Sequence, residues 1–149
     1  MNVSTINQRD LNGLISLVLQ LWPHSSYEEE FQHYAEVLAK KEEQVFVANA
    51  SNRIIGFIHL ALRTDYVEGT TTSPVAYLEG IYVEPSHRQA GVARQLLLAG
   101  EKWGREMGCR EMGSDAELEN HLSIEFHHAA GFEEANRVVC FRKSLITDH

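Results

Sequence analysis

The chain has 149 residues, 44% of them hydrophobic and 23% charged, enough to bury one core without disulfides and ordinary for a soluble globular protein. Its formal net charge of −8 argues against nucleic acid as a partner, since neutralising phosphates takes surplus lysine and arginine, and favours cations instead. No apolar run approaches a membrane span, and the start MNVSTINQRD has neither the basic nor the apolar part of a signal peptide, so a cytoplasmic protein of one domain (1–149) with no membrane partner is expected.

Met1 to Ile6 alternates loosely and reads as an edge strand. Apolar residues at helical spacing (Leu11, Leu14, Ile15, Val18, Leu19) predict a helix over 8–21, with Asn7 or Asp10 near its cap. Trp22-Pro23 ends it, because the residue before a proline is pushed out of helical geometry. Ser26-x-x-Glu29 makes a capping box for a second helix reaching about Lys40. Trp22, in the break between the two, is either a plug for the core or a wall for a ligand. Residues 44–50 and 53–63 read as an antiparallel pair around a Ser51-Asn52 turn, and a polar loop, 64–74, leads into the central strand, Val75 to Val83. A helix from about Gly91 to Met107 follows, then a short strand at 110–115, a helix at 119–130 and a last strand at 132–143. The order β-α-α-β-β-β-α-β-α-β defines an α/β domain with a mixed sheet.

Cys109 and Cys140 match no metal-ligand spacing and read as reduced structural residues, the eight histidines are scattered, and no metal is implied. The junction Arg88-Gln89-Ala90-Gly91-Val92-Ala93 carries more chemistry. Small residues there let backbone N–H groups crowd at a helix start, where the dipole favours negative charge and glycine lets an anion approach closely, so the loop reads as a phosphate site. Glu79 stands out too: a carboxylate between Leu78 and Ile81 in a buried strand must be paired or face a polar cavity, since burying it alone costs several kcal/mol. Asp115 ends its short strand, where open α/β sheets place ligand groups, although a cap for the following turn explains it equally well.

Arg88-x-x-Gly91-x-Ala93, in its setting of strand, Pro85 turn, loop and helix, resembles the coenzyme A site of the GNAT acetyltransferases. Asn120-x-x-Ser123-x-x-Phe126-His127-x-x-x-Gly131-Phe132 resembles the second signature of that superfamily, with Ser, Phe and His in place of Ala, Leu and Tyr. The fold so implied has a mixed central sheet with a splayed strand pair and flanking helices. Acetyl-CoA is the implied co-substrate, its pantetheine arm along the backbone of Ile81, Tyr82 and Val83, where a bulge near Gly80 frees N–H and C=O groups. Its pyrophosphate is expected on Arg88 and the amides of Gln89, Ala90, Gly91, Val92, Ala93 and Arg94, with Asn120 bonded to the arm. An amide near Ile81 is the expected oxyanion donor. His127 takes the place of the tyrosine that protonates the leaving thiolate in relatives; it serves as that acid or is one more polar helix residue beside His128.

Leu21-Trp22-Pro23, Asp65-Tyr66-Val67-x-Gly69, Ser73-Pro74-Val75, Leu78-Glu79-Gly80-Ile81, Gly108-Cys109-Arg110-Glu111-Met112 and Ser114-Asp115 resemble one branch of the aminoglycoside 6'-N-acetyltransferases, over about 21–143. That resemblance implies acetylation of the 6'-amine by direct attack in a ternary complex, a homodimer, and substrate contacts from Trp22, Tyr66, Glu79 and Asp115, with Glu79 as base through water. The residue types suit the task, because polycationic sugars need carboxylates for their amines and aromatic faces for their rings. Two positions depart from the branch, where Ser25 replaces a histidine and Asn136 a glutamate; His24 or Glu134 is the nearby substitute for each. An acidic site also suits a polyamine or a protein N-terminus, and a silent acyl-CoA-binding domain is the non-enzymatic alternative.

Overall fold

Among the described residues, nine segments take regular structure in the order β1 (Asn2–Thr5), α1 (Leu11–Leu21), α2 (Tyr27–Val37), β2 (Glu43–Ala50), β3 (Arg53–Arg63), β4 (Val75–Val83), α3 (Val92–Glu106), β5 (Met112–Gly113) and α4 (His121–Ala129), with single 3-10 turns at Gln8–Asp10 and Pro85–His87. The computed structural model describes residues 1–147. It separates into two units, Met1–Asp115 and the residues from Ala116 onward.

The first unit is a five-stranded mixed sheet in the order β1-β2-β3-β4-β5, antiparallel except for β4 and β5. Ser51 and Asn52 close the β2–β3 hairpin with φ of 52° and 61°, the left-handed pair that a two-residue turn requires. From Gly56 to Arg63, past a bulge at Ile55, the odd residues of β3 face one way and the even residues the other. Phe57 packs among Leu14, Ile15, Val18 and Tyr34, so the odd face carries α1 and α2. Ile58 and Leu60 meet Gly100 of α3, and Gly104 lies against Ala76 of β4, so the even face carries α3.

The polar ends are bonded locally. Asn7 accepts from the amide of Arg9 while Asp10 accepts from that of Asn7, a capping box that spends 8–10 on a tight turn and starts α1 at Leu11, later than the apolar periodicity predicts. Ser26 caps α2 through the amide of Glu29, and that helix stops at Val37. Pairing of β5 is confined to Met112 and Gly113, because β4 and β5 part immediately afterwards.

The second unit holds α4, capped by Asn120. The strand expected over 132–143 does not form: residues 132–147 are in neither helix nor strand. A strand needs a hydrogen-bonding neighbour, and no described strand pairs with this segment. Its apolar side chains face solvent, Phe141 at 91% exposure and Val138, Val139, Leu145 and Ile146 alongside it. Both cysteines are free, as the reading of reduced residues expects, but Cys140 is exposed, which leaves it without the structural role expected of it, whereas Cys109 is buried.

Candidate active site

The split between β4 and β5 organises the site. Their parallel pairing ends at Tyr77 opposite Gly113, while β4 runs on to Val83 along β3. At the same level β4 carries a bulge: His59 faces Gly80 and Leu60 faces Leu78, which leaves Glu79 as the extra residue. The splayed pair and the bulge thus coincide, and the strand beyond them is the stretch Ile81-Tyr82-Val83. Ser114 bridges the mouth of the split by donating to the Leu78 carbonyl at 3.4 Å.

The bulge has an aromatic wall. A Cβ built on Gly80 would stand 2.6 Å from Cη2 of Trp22, so the indole lies directly on the glycine. Trp22 is part of the helix break before α2 and keeps 37% of its surface exposed, so it is not a fully buried core plug. Beside it Ser25 donates to Glu30 Oε1 at 2.9 Å, which uses the position that departs from the resemblance to orient a carboxylate. His24 is exposed in the same turn.

Glu79 is paired, and with a residue that sequence reasoning missed. Arg63, the last residue of β3, donates from Nη2 to Glu79 Oε1 at 3.0 Å. Its guanidinium carbon lies 3.4 Å from the centroid of the Tyr77 ring, a cation–π stack. The Tyr77 hydroxyl in turn donates to Asp115 Oδ2. Burial, and after it the bond to Asp115, push the Tyr77 phenol above its usual range, so tyrosine stays the donor and Asp115 the acceptor. Asp115 is thereby not an isolated carboxylate; it is held through Tyr77, whose ring carries the Arg63 of the Arg63–Glu79 pair. Register alone could have found Arg63, since the odd residues of β3 face the same side as Tyr77 and Glu79 lies just beyond.

The loop between β3 and β4 is tied down by a second residue that sequence reasoning missed. Glu111 accepts the amides of Thr71 and Thr72, each at 2.9 Å, and the Thr72 hydroxyl as well. These bonds, that from the Thr72 hydroxyl first, hold its carboxyl below the ordinary value. Val67 packs with Val75 and Tyr77, while Tyr66 is 75% exposed with its hydroxyl near the amide of Gly69.

At the far end of β4 the loop 88–91 turns into α3. Gln89 and Gly91 both take positive φ, 65° and 80°, and Gly91 is the cap residue of α3 with no side-chain cap bond. The first amides of a helix have no partner inside it, and a Cβ at Gly91 would meet nothing within 4 Å, so the cradle over Ala90, Gly91, Val92, Ala93 and Arg94 is open to a bulky anion. These residues fit a pyrophosphate. Arg88 uses its Nε to bond the Val83 carbonyl at 2.9 Å, with its guanidinium carbon 5.2 Å from the Tyr82 ring centroid, which ties the loop to the end of β4. Tyr82 itself donates to Gln20 at 3.0 Å.

In the second unit, Asn120 Oδ1 accepts the amide of Ser123 at 3.1 Å. His127 Nδ1 lies 2.6 Å from the Ser123 carbonyl oxygen; a carbonyl only accepts, so Nδ1 carries a hydrogen. The ring sits between Phe126 and Phe132 at 5.7 and 5.1 Å between centroids. Asn136 accepts the amide of Arg137, and Glu134 is paired with the Arg137 guanidinium.

A parallel pair that splays beside a bulge, followed by an open amide cradle at a helix start, defines an acyl-CoA-dependent acyltransferase fold. Residues 10–132 match the sequence model of the acetyltransferase (GNAT) family, and the chain belongs to that family. Within it, the chain is 43% identical over 143 residues to an aminoglycoside N(6')-acetyltransferase type 1 of Salmonella typhimurium, covering 96% of this chain and 99% of the relative. Among solved structures, that of AAC(6')-Iy in complex with the bisubstrate analogue CoA-S-monomethyl-acetylneamine superposes with a TM-score of 0.92 at 42% identity, covering 96% of this chain and 97% of that one. The apo aminoglycoside 6'-N-acetyltransferase AAC(6')-IG of Acinetobacter haemolyticus superposes with a TM-score of 0.93 at 36% identity, covering 98% and 100%.

Proposed function

We propose that this chain transfers the acetyl group of acetyl-CoA to the 6'-amine of aminoglycosides. The observation that carries the reading is the row Trp22, Glu79, Tyr77, Asp115: two carboxylates set among aromatic faces at the mouth of the β4–β5 split, in a chain whose relatives bear the aminoglycoside N(6')-acetyltransferase name. Polycationic sugars need that combination, and the net charge of −8 favours their approach.

When bound, acetyl-CoA supplies an acetyl thioester. The amides from Gln89 to Arg94 bind its pyrophosphate, and the backbone of Ile81, Tyr82 and Val83, beyond the end of β5 pairing, offers N–H and C=O groups to its arm. The Ile81 amide is the expected donor to the thioester carbonyl oxygen. Asn120 is assigned to the arm. Trp22, Tyr66, Glu79 and Asp115 orient the sugar so that its amine reaches the carbonyl carbon, and His24 and Asn136 are assigned to it as further contacts. Glu79 takes the amine proton through water. His127 in its doubly protonated form donates to the departing sulfur; with Nδ1 bonded to the Ser123 carbonyl, that donor is Nε2. Position accounts for most of the rate. Acetylation turns an ammonium into a neutral amide, which removes a charge-assisted contact with RNA and so gives resistance.

The match over 10–132 spans both units and supports one acetyltransferase domain. Action in the cytoplasm belongs to the proposal; separately, no described helix is long and apolar enough to cross a membrane. The exposed apolar residues of 132–147 support a homodimer in which this segment finds its strand partner on a second copy. Light scattering tests that: replacing Val139 and Phe141 by serine is expected to turn a dimer into a monomer.

The functional test mixes the protein, acetyl-CoA and either of two aminoglycosides, one with a 6'-amine and one with a 6'-hydroxyl, and follows thiol release. Turnover with the amine alone establishes reaction and position. Absence of turnover with both refutes the aminoglycoside reading.

A further inference from the structure

The pairing of Glu79 with Arg63 goes beyond the reaction, although its meaning rests on the proposed aminoglycoside site. The carboxylate assigned to hold a substrate ammonium already holds a cation from this chain. Arg63 takes both kinds of contact that an ammonium sugar requires there: a carboxylate oxygen at 3.0 Å and an aromatic face at 3.4 Å. Tyr77, the ring beneath it, is bonded to the second assigned carboxylate, Asp115. The pair is not sealed in, since the Arg63 side chain keeps 44% and the Glu79 side chain 29% of their surfaces exposed. An ion pair open to water is weak, so a polycation competes with it at little cost. Arg63 also ends β3 and opens the exposed stretch Thr64-Asp65-Tyr66, so solvent is available to its side chain once displaced.

We propose that Arg63 is the resident cation of the substrate site, a built-in competitor that occupies Glu79 and the Tyr77 face until a substrate ammonium displaces it. Arg63 thereby sets how strongly cationic a substrate must be to gain the site. It also keeps Glu79 from standing as an unpaired carboxylate beside Asp115 when the site holds no sugar.

The test compares wild type, R63Q, R63K, E79Q and R63Q/E79Q at saturating acetyl-CoA, with neamine as the varied substrate at low and high salt, after melting curves establish that each variant is folded. R63Q is expected to lower the KM for neamine by about two- to fivefold, the range of an exposed ion pair, with the change in KM and not in kcat. Its KM should also depend more steeply on salt, because a carboxylate then meets the substrate with its full charge. R63K, which keeps a cation, should stay near wild type, and R63Q should have no effect in the E79Q background. A readout independent of turnover is the Arg63 Nε–Hε resonance, which is expected to shift on titration with neamine as the guanidinium leaves the ring.

A raised KM in R63Q would overturn the proposal and make Arg63 a support for Glu79. An unchanged KM together with an Nε–Hε signal that neamine does not move would also overturn it. If wild type neither binds nor turns over neamine, the aminoglycoside reading fails separately, and spermidine then serves as a bare polycation: an unmoved Nε–Hε signal with it overturns the resident-cation proposal as well.

Discussion

The indole of Trp22 rests on Gly80 so closely that a single methyl group there would stand 2.6 Å from Cη2 of the ring. G80A must therefore push the indole off the bulge. Overpacking of this kind costs about 1–3 kcal/mol, so a fall in melting temperature is expected, together with a rise in the KM for aminoglycoside of about tenfold or more. W22A/G80A should recover the stability and not the affinity. An unchanged KM in G80A would show that the indole is no wall of the sugar site.

Gly91 makes the opposite case, because space is free and the backbone is not. At φ 80° an alanine meets no neighbour, yet the left-handed conformation costs it about 1–2 kcal/mol. G91A should raise the KM for acetyl-CoA and leave that for aminoglycoside alone, as steady-state titration of each substrate would read. Effects on the two KM values of equal size would mean that the cradle and the sugar site do not act separately.

Glu111 should make the β3–β4 loop sensitive to acid. Its folded carboxyl lies below the ordinary 4.5, so the tether is complete above that value and is lost as the pH falls through the lower folded one. Hydrogen exchange at the Thr71 and Thr72 amides should accelerate over that window. E111Q should show fast exchange already at neutral pH, and slow exchange in E111Q would refute the tether.

A buried chain predicts a second acid response. Tyr34 bonds His59 Nδ1 at 3.2 Å, and His59 Nε2 lies 2.8 Å from Glu43, which also pairs with Lys40 at 3.0 Å. Burial is the main cause that holds the His59 imidazole below its usual 6.5, so the folded state prefers it neutral. The unfolded chain then binds the proton first: the stability that neutral His59 contributes is complete above 6.5 and falls as the pH drops below it. Y34F, which removes one partner of the ring, should cost about 1 kcal/mol in denaturant titrations near pH 7.5. A melting temperature that does not fall between pH 7 and 5.5 would count against a neutral His59.

What could be read in advance was local. The Ser51-Asn52 hairpin, the β4 strand and the α3 start each depend on residues within a few positions, and each forms as expected. The glycine at 80 marked the bulge because nothing larger fits beneath Trp22, although the tryptophan itself could not be assigned to it from spacing. Arg63 and Glu111 escaped because their partners lie 16 and about 40 residues away, and only the register of β3 on β4, or the loop folded back on the residue before β5, brings them together. The last strand failed for the converse reason. Alternation of Val139 and Phe141 describes a strand well, but pairing needs a neighbour, and alternation does not supply one.

Glu79 has a further effect, on the parity of β4. Upstream of it Val75 and Tyr77 share a face with the odd residues of β3; downstream Gly80 and Tyr82 do, opposite His59 and Phe57. The extra residue thus switches the strand from odd to even numbers while one face stays continuous from the loop end of the sheet to the helices α1 and α2. Deleting a single residue at this point would turn one half of the strand over, sending either Tyr77 or Tyr82 into the layer occupied by α3. A chain of this fold can vary the length of its loops, but not the number of residues between Tyr77 and Gly80.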